Sequence, residues 1–320
     1  MLTDSAQFCA ADVCFGAFVD LYLPVANLSV NALVIILLGG GVGFLSGMFG
    51  VGGGFLTTPL LIFYGIPPTV AAASAATQVT GASVSGALAH LERGGVDLRM
   101  GGVLVVGGLL GSLIGAGLFE LLTAWGQIDT VINMLYVALL GSVGSIMARE
   151  AWGALQNMRV GLPAPARKRR HHPMVANLPL RWRFYRSGLY ISPLAPLILG
   201  MLVGILTMLL GVGGGFIMVP AMLFLLGMGT QVVVGTSLFQ ILFVTIATTM
   251  VHALTTGAVD IVLAGLLLLG SVTGAQIGAR FAQSVKPEYL RMALAVIVLL
   301  VAARMAVDLF IRPDEIYTVQ

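Results

Sequence analysis

The sequence predicts an all-α polytopic membrane protein made of two homologous halves, and three observations support this fold class. Hydrophobic residues make up 58% of the 320 residues and charged residues only 9%, with a mean hydropathy of +1.02. Water-soluble domains carry about 25% charged residues. Two long stretches, 21–91 and 187–259, contain no Asp, Glu, Lys or Arg, and about 20 apolar residues already span a bilayer. The third observation is an internal repeat.

The repeat is marked by a glycine-rich motif that occurs twice. The sequence GVGGGF at 50–55, followed by Pro59, recurs at 211–216, followed by Pro220. Other matched residues keep the same order in both halves, at offsets that drift from 161 to 163: Gln78 and Gln240, His90 and His252, Asp97 and Asp260, Gly111 and Gly274, and Gly115 and Gly278. Two unrelated apolar sequences would not keep Gln, His, Asp and Pro in order, so the halves are interpreted as a duplication.

Each half contains five apolar segments. Those of the first half lie at about 30–48, 54–66, 69–90, 100–121 and 129–148, and those of the second at about 193–210, 214–227, 230–252, 259–280 and 288–310. We therefore predict transmembrane repeats over 30–148 and 193–310, with an N-terminal segment 1–29, a linker 149–192 and a C-terminal tail 311–320 outside them. The second segment of each half is short and follows a glycine run, which predicts a broken helix.

The basic residues concentrate between the halves. Nine of the 16 Lys and Arg residues lie from Arg149 to Arg186, and the sequence pI is about 9.1. Loops rich in Lys and Arg stay in the cytoplasm, so we predict that the linker is a cytoplasmic loop. Contact with anionic lipids would use the same basic face. No nucleic-acid partner is predicted, because this one loop holds most of the positive charge.

The number of membrane crossings sets the orientation of the halves. If each half crosses five times, Arg93, Arg280 and Lys286 all lie on the side of the linker, and the N-terminus lies outside. If the short segments are re-entrant, Arg280 and Lys286 lie on the opposite side. The basic residues favour five crossings, while whether 54–66 and 214–227 span fully is left open. Five crossings predict an inverted repeat, a transporter architecture with its site where broken helices meet.

The glycine runs are the first candidate site. Consecutive glycines interrupt a helix, because each costs about 1 kcal/mol relative to Ala, and the helix that follows has four N–H groups without intrahelical partners. Such an N-terminus attracts anions; the alternative is that the glycines only allow close helix packing. The duplication favours anion binding. The candidate residues are Gly52, Gly53, Gly54 and Phe55 in the first half and Gly213, Gly214, Gly215 and Phe216 in the second.

Two glutamines in the third segments complete this candidate site. Gln78 and Gln240 occupy equivalent positions in stretches that contain several Ser and Thr residues. A neutral amide donates hydrogen bonds to an anion without placing a negative charge beside it. The alternative is hydrogen bonding between helices, which is common for polar residues in membranes. Both interpretations are open for the two glutamines.

If transport is coupled to protons, two histidines are the candidate coupling residues. His90 and His252 lie at the ends of the third segments, and no carboxylate lies at mid-span in the core. Histidine changes charge near neutral pH, and an inverted repeat would place one of the two near each face of the membrane. The alternative is that both are plain interfacial caps. A buried acidic relay of the kind found in pumps is not predicted.

The sequence lacks the motifs expected for nucleotide binding, enzymatic catalysis or metal binding. No Gly-Lys-Ser/Thr ending follows either glycine run, which excludes a P-loop. Neither a His-Glu pair nor a Gly-x-Ser-x-Gly sequence occurs, so we do not expect an enzyme. Cys9 and Cys14 are accompanied by no His or further Cys, so no metal and no cofactor are predicted. Whether these two cysteines pair is left open.

With these residues in place, the sequence resembles the TauE/SafE sulfite exporter family, also described as 4-toluene sulfonate uptake permeases. The resemblance covers about residues 30–310 and rests on GMFGVGGGF at 47–55, on GVGGGF at 211–216 with the downstream prolines, and on the turns Gly95-Val96-Asp97 and Gly257-Ala258-Val259-Asp260. Where some members have a Glu in the third segment, this chain has Ala75 and Ala76.

The resemblance implies a secondary transporter of small anions in a bacterial inner membrane. Members of the family are linked to sulfite, sulfoacetate, thiosulfate and other small organic anions, and export is the better-known direction. A passive anion channel on the same fold is the alternative, since a channel needs no coupling residue. The residues leave open which anion is carried, the direction, the coupling ion and the oligomeric state.

Overall fold

The structure, a computed structural model, describes residues 20–49, 53–92, 94–159, 182–184, 186–282 and 287–310. The helices in these ranges are α1 (Ala32–Phe49), α2 (Gly54–Phe63), α3 (Pro68–Glu92), α4 (Leu98–Ala124), α5 (Ile128–Arg159), α6 (Leu194–Leu210), α7 (Gly215–Phe224), α8 (Thr230–Val251), α9 (Ile261–Ala282) and α10 (Pro287–Phe310). A π-helical turn, His252–Thr256, continues α8. The predicted all-α polytopic fold is confirmed.

The helices follow the predicted apolar segments closely. Five helical stretches of the described residues are long and apolar enough to cross a membrane: Leu98–Ala124, Ile128–Gly153, Val232–Thr256, Ile261–Gly278 and Met292–Leu309. The ten-residue helices α2 and α7 are each about 15 Å long, half of a hydrocarbon core of about 30 Å. The main difference is that α5 continues to Arg159 instead of ending at 148, because good helix formers follow its apolar part.

Two short antiparallel hairpins precede the two halves. The strands are β1 (Asp20–Leu23) with β2 (Leu28–Asn31), before α1, and β3 (Trp182–Phe184) with β4 (Leu189–Ile191), before α6. They lie in the stretches assigned above to the N-terminal segment and the linker, except that β2 ends at Asn31, two residues into the predicted first repeat. Strands of three or four residues are too short for a period-two pattern to predict. The hairpins extend the repeat beyond its transmembrane part.

The long helices pair across the two halves. α1 packs against α9, α4 against α6, α3 against α8 and α5 against α10. The first helix of each half thus packs on the fourth helix of the other half, while the third and fifth helices pack on their own counterparts. Reciprocal contacts of this kind are what a two-fold relation between two similar units produces.

The pair α1 and α9 is parallel and close. A methyl group added at Gly39 of α1 would lie 2.6 Å from the carbonyl oxygen of Leu267 in α9, and Gly47 faces the backbone of Ala275 in the same way. Only residues without a Cβ allow helix backbones to approach so closely. Glycines bring α4 and α6 together in the same parallel manner.

The pair α3 and α8 is antiparallel. The hydroxyl oxygens of Thr77 in α3 and Thr249 in α8 are 3.4 Å apart. Further along α3, a methyl group at Gly86 would lie 3.1 Å from Cδ1 of Leu238, which is earlier in α8. The contacts therefore run in opposite directions along the two helices. An inverted relation between two halves requires equivalent helices to run in opposite directions.

The residues that cap α4 and α9 are hydrogen-bonded to the opposite half of the molecule. Asp97 and Asp260 accept hydrogen bonds from backbone N–H groups at the starts of α4 and α9. The backbone N–H of Asp97 donates to the Thr236 hydroxyl of α8 at 3.0 Å, and that of Asp260 donates to the Ser74 hydroxyl of α3 at 3.2 Å. The predicted glycine–aspartate turns are therefore helix caps.

The hairpins complete the same two caps. The backbone N–H and hydroxyl of Ser187 donate to Oδ2 of Asp97 at 3.0 and 2.6 Å. The backbone N–H of Val25 donates to Oδ2 of Asp260 at 3.2 Å. The hairpin before each half therefore binds an aspartate of the other half, and Asp97 has one more donor from its hairpin than Asp260.

Candidate functional site

The two glycine breaks meet at the centre of the molecule. A methyl group at Gly54, the first residue of α2, would lie 2.7 Å from the carbonyl oxygen of Val212 and 2.6 Å from Cγ2 of Val79 in α3. A methyl group at Gly213 would lie 2.5 Å from Cγ1 of the same valine. Val79 therefore touches both breaks, and a residue with a Cβ at Gly54 would collide with the backbone of the second break.

The first aromatic residues of the two short helices stack on each other. The ring centroids of Phe55 and Phe216 are 4.6 Å apart, and the ring planes differ by 7°. Both side chains are buried, with 0% and 1% of their surface exposed. Because Phe55 and Phe216 are the second residues of α2 and α7, the N-terminal turns of the two helices lie beside each other.

The N-cap residues of these two helices are Gly53 and Gly214, which have no side chain that could cap the helix start. The buried acidic side chains of the described residues, Asp97 and Asp260, cap other helices. Two helix N-termini without a carboxylate between them present backbone N–H donors that lack intrahelical partners. Such donors suit a small anion.

The two breaks differ in backbone conformation. In the second break, Gly211, Gly213 and Gly214 have φ values of 69°, 70° and 78°, the left-handed conformation. In the first break, Gly53 has φ −68° and ψ −19°, which any residue adopts. Gly52 lies outside the described residues. The same motif therefore has different backbone conformations in the two halves, since Gly53 is right-handed and the equivalent Gly214 is left-handed.

In the first half, Gln78 is held by its neighbours. Its side chain is buried, and its Oε1 accepts a hydrogen bond from the Thr57 hydroxyl at 2.9 Å. The same hydroxyl lies 3.1 Å from the carbonyl oxygen of Gly53. A methyl group at Gly53 would lie 3.7 Å from Nε2 of Gln78. The glutamine therefore fastens the start of α2 to α3.

In the second half, Gln240 has no such partner. Its side chain is 0% exposed, and neither Oε1 nor Nε2 has a hydrogen-bond partner among the described residues. The fourth residue of α7, equivalent to Thr57 of α2, is Met218, which has no hydroxyl group. A buried polar group without a partner costs about 1–3 kcal/mol. Such a group in a native protein requires an explanation.

The amide of Gln240 is connected to the second break by two packing contacts. Its Nε2 would lie 3.1 Å from a methyl group at Gly108 of α4, and Gly108 packs directly on Gly204 of α6. The preceding residue, Val203, packs on Gly214 at the N-cap of α7. The backbone of α6 therefore lies between the amide and the start of α7.

The broken end of α6 is stabilised by side chains from elsewhere. The carbonyl oxygen of Leu210 accepts hydrogen bonds from Thr58 at 3.1 Å and from the Tyr136 hydroxyl. Nε2 of His252 lies 3.0 Å from the carbonyl oxygen of Met208. Helix-end carbonyls inside a membrane protein need such donors, because water is not available to them.

The two candidate histidines have different environments. His252 is 0% exposed and packs edge-on against Phe119 with 5.1 Å between ring centroids, so it is not an exposed interfacial cap. His90 is half-buried, and its Cβ lies beside Gly235 of α8. Cys9 and Cys14 lie outside the described residues. Among the residues that are described, no cluster of three or more His, Cys, Asp or Glu side chains could hold a metal ion.

The comparison with protein families agrees with this architecture. The profile of the family described as Sulfite exporter TauE/SafE matches residues 35–305. The chain belongs to this family. The predicted resemblance is thereby confirmed, and the match covers both halves of the TauE/SafE protein, including both glycine breaks and both glutamines.

Curated relatives of this TauE/SafE protein are named as transporters. The "Probable membrane transporter protein YjnA" of Bacillus subtilis is 27% identical over 265 residues, covering 83% of this chain and 96% of the relative. A "Probable membrane transporter protein" of Xylella fastidiosa is 28% identical over 280 residues, covering 86% and 95%. "Sulfite exporter TauE/SafE family protein 2" of Arabidopsis thaliana is 30% identical over 114 residues, covering 35% and 24%. No solved structure matches the chain.

Sequence reasoning missed several residues around the breaks. Thr57, Thr58 and Tyr136 hydrogen-bond to Gln78 and to the end of α6. Aligning the two halves could have drawn attention to the two threonines, because the second half has the apolar residues Met218 and Val219 at the same positions. A polar residue that is present in only one copy of a repeat indicates where the copies have diverged. Tyr136 has no comparable signal.

Proposed function

We propose that this TauE/SafE protein is a secondary transporter that exports small anions such as sulfite, thiosulfate or organosulfonates. The observation that carries the proposal is the meeting of two uncapped helix N-termini beside the stacked rings of Phe55 and Phe216. Backbone N–H groups at Gly53, Gly54, Gly214 and Gly215 supply donors suited to an oxyanion. The amide of Gln78 lies beside Gly53, and the amides of Gln78 and Gln240 are proposed to orient the anion. Gly52 is proposed to belong to the same site.

A carrier mechanism is supported by the burial of both breaks. The described residues of the two breaks, 53–55 and 211–216, are all buried, so this part of the molecule is closed to solvent. Alternating access requires such a closed centre with exits that open on one side at a time. The antiparallel crossing of α3 and α8 supports an inverted repeat, in which the two halves supply the two exits.

The proposed setting is a bacterial inner membrane with the basic linker in the cytoplasm. The linker spans 149–192, of which 160–181 lie outside the described residues. Nine basic residues in this segment favour the cytoplasmic side. Its partners in this proposal are the transported anion and the lipid bilayer.

Anion-dependent stability of the purified protein tests the proposal. Sulfite, thiosulfate and organosulfonates are expected to raise the unfolding temperature in a concentration-dependent way, because a ligand that binds only the folded state stabilises it. Chloride at equal ionic strength is the control for general salt effects. The absence of any response to these anions, together with unchanged transport by Gln78→Ala and Gln240→Ala, would contradict the proposal.

Counterflow distinguishes the carrier from the passive anion channel. Liposomes loaded with unlabelled sulfite should take up labelled sulfite faster than empty ones, and uptake should saturate. A channel on the same fold would show neither behaviour. The burial of the described residues of both breaks favours the carrier outcome.

Proton coupling is assigned in this proposal to His90 and His252, the histidines at equivalent positions of the two halves. Uptake driven by an imposed proton gradient in liposomes tests this assignment. His90→Gln and His252→Gln should each lower gradient-driven uptake more than counterflow, which needs no gradient. Unchanged gradient-driven uptake in both variants would exclude the histidines as coupling groups.

A further inference from the structure

We propose, building on the carrier mechanism above, that the side chain of His252 is a latch that keeps one end of the molecule closed. In this proposal the structure is the conformation in which the opposite end, beside the linker, is the more open one. Release of the latch belongs to the step that changes which end is open. The inference rests on differences in burial and in local backbone structure between equivalent positions of the two halves.

The two hairpins mark the two ends of the molecule. The hairpin β3–β4 binds Asp97 at the linker end, and the hairpin β1–β2 binds Asp260 at the other end. A methyl group at Gly235, near the start of α8, would lie 3.0 Å from Cβ of His90, near the end of α3. Because α3 and α8 are antiparallel, His90 lies at the linker end and His252 at the Asp260 end.

The ring of His252 joins three helices at the Asp260 end. Its Nε2 lies 3.0 Å from the carbonyl oxygen of Met208 in α6, and since a carbonyl only accepts, Nε2 donates this hydrogen bond. The ring packs edge-on against Phe119 of α4, with 5.1 Å between the centroids. The His252 side chain is 0% exposed. Moving the end of α6 away from α4 and α8 would therefore break both contacts.

A local change in the chain places this ring. The stretch from His252 to Asp260 has one residue more than the equivalent stretch from His90 to Asp97, and the structure has a π-helical turn there, His252–Thr256. The Thr256 hydroxyl donates to the His252 carbonyl at 2.8 Å and lies 3.3 Å from Nδ1 of the ring. Isolated π-helical turns within helices are frequent at functional sites.

The burial beside the two breaks differs in the way that a latch at one end predicts. Ser46 of α1 and Thr207 of α6 occupy equivalent positions. A methyl group at Gly53 would lie 3.6 Å from Cβ of Ser46, and one at Gly214 would lie 3.4 Å from Oγ1 of Thr207. Ser46 is partly exposed, whereas Thr207 is 0% exposed. The approach to α2 is therefore partly open, and the approach to α7 is closed.

The strength of the latch suits a contact that forms and breaks in each transport cycle. Losing one buried hydrogen bond shifts an equilibrium between two conformations by about fivefold to tenfold. A contact of this size favours one conformation without making the other inaccessible. In an inverted repeat the halves exchange conformations, so opening of the Asp260 end accompanies closing of the linker end.

The test measures access to the two equivalent positions beside the breaks. Cys9→Ser and Cys14→Ser remove the two cysteines of the chain. Ser46→Cys and Thr207→Cys are then introduced separately as a matched pair of reporters. The rate of alkylation by iodoacetamide, a small neutral reagent, is measured on the purified full-length protein in anion-free buffer. Each rate is divided by that of the same protein in denaturant.

We expect Ser46→Cys to react at least about tenfold faster than Thr207→Cys while His252 is present. His252→Leu should raise the rate at Thr207→Cys about fivefold and lower that at Ser46→Cys by about a third, the effect of one lost hydrogen bond on such a population ratio. His252→Gln is the conservative control, because its amide can still donate to the Met208 carbonyl. It should keep the original rates.

The opposite signs separate a latch from a general loss of stability, which would raise both rates. Phe119→Leu, which removes the ring that packs on His252, should act in the same direction as His252→Leu and replaces it if that variant does not fold. Equal rates at the two reporters in the presence of His252 would overturn the inference. So would an unchanged rate at Thr207→Cys, or a parallel rise at both reporters, in these variants.

The labelling needs no anion, so its outcome is independent of the anion-binding tests above. Opposite rate changes in a protein that responds to no anion would support the latch and contradict the proposed substrate. Anion-dependent stabilisation together with labelling rates that His252→Leu does not change would support the proposed function and contradict the latch.

Discussion

In the first half of the molecule, α2 starts from Gly53 in a right-handed conformation, and the Thr57 hydroxyl holds Gln78. In the second half, α7 starts after three left-handed glycines, and Gln240 has no hydrogen-bond partner among the described residues. The same six-residue motif begins both helices. The comparison teaches that a duplicated motif can place equivalent residues at equivalent positions and still give them different surroundings. The Gln78 side chain is hydrogen-bonded within the protein, and the Gln240 side chain is not.

The largest expected difference between the breaks lies in their glycines. Gly214→Ala forces a left-handed alanine and a collision with Val203, so we expect a loss of about 2–5 kcal/mol of stability. Gly53 has a negative φ, and its nearest neighbour would be Cγ1 of Val42 at 3.2 Å, so Gly53→Ala should cost about 1 kcal/mol or less. Thermal unfolding of the two variants in detergent measures the difference. Equal losses would mean that the breaks do not differ as described.

The glutamines should respond with opposite signs when no anion is present. Gln78→Leu removes one acceptor of the Thr57 hydroxyl and leaves it the carbonyl oxygen of Gly53, so we expect a loss of about 1 kcal/mol. Gln240→Leu removes an unpaired buried amide, so stability should stay level or rise by about 1 kcal/mol. The same unfolding assay in anion-free buffer gives both values. A clear loss in Gln240→Leu would indicate a structural role for Gln240.

The two aspartate caps allow a finer comparison. Asn keeps one acceptor oxygen but loses the second, so Asp97→Asn removes the acceptor for both donors of Ser187. Asp260→Asn removes it only for Val25. We expect Asp97→Asn to cost about 1–3 kcal/mol and Asp260→Asn about 1 kcal/mol. Hydrogen exchange of the two hairpins checks the result locally, since each variant should expose the hairpin that its aspartate binds.

The histidines provide the smallest expected contrast. His252→Leu removes the ring nitrogen beside the Met208 carbonyl at the end of α6, and we expect a loss of about 1 kcal/mol. His90→Leu should change stability by less than about 0.5 kcal/mol, because His90 is only half-buried. Unfolding temperatures compared at one pH measure both effects. An effect of His90→Leu as large as that of His252→Leu would contradict the assigned environments.

Much of the fold follows from the sequence for clear physical reasons. Long apolar stretches need helices in a membrane, and the glycine runs at 50–54 and 211–215 interrupt them, so the helices and both breaks could be predicted. The pairing of α1 with α9 and of α4 with α6 depends on glycines that face each other across the halves. Such contacts cannot be read from one sequence, although the predicted duplication restricts them.

The residues of the candidate site could be predicted from the sequence, but the different surroundings of the two glutamines could not. The motif and the repeat identified the breaks, Gln78 and Gln240, because these positions are the same in both halves. The difference between the glutamines depends on Thr57 and Met218, at positions where the halves diverge. A search for shared residues passes over such positions. The hairpins were missed because three- or four-residue strands carry almost no pattern.

The central claim is that a small oxyanion binds where the two breaks meet, and its position can be measured directly. Selenite resembles sulfite, and its selenium atom scatters X-rays anomalously. Crystals of the protein grown with selenite should show an anomalous peak within hydrogen-bonding reach of the backbone N–H groups at Gly215 and Phe216. A peak found only on the surface or beside the basic linker would contradict the claim.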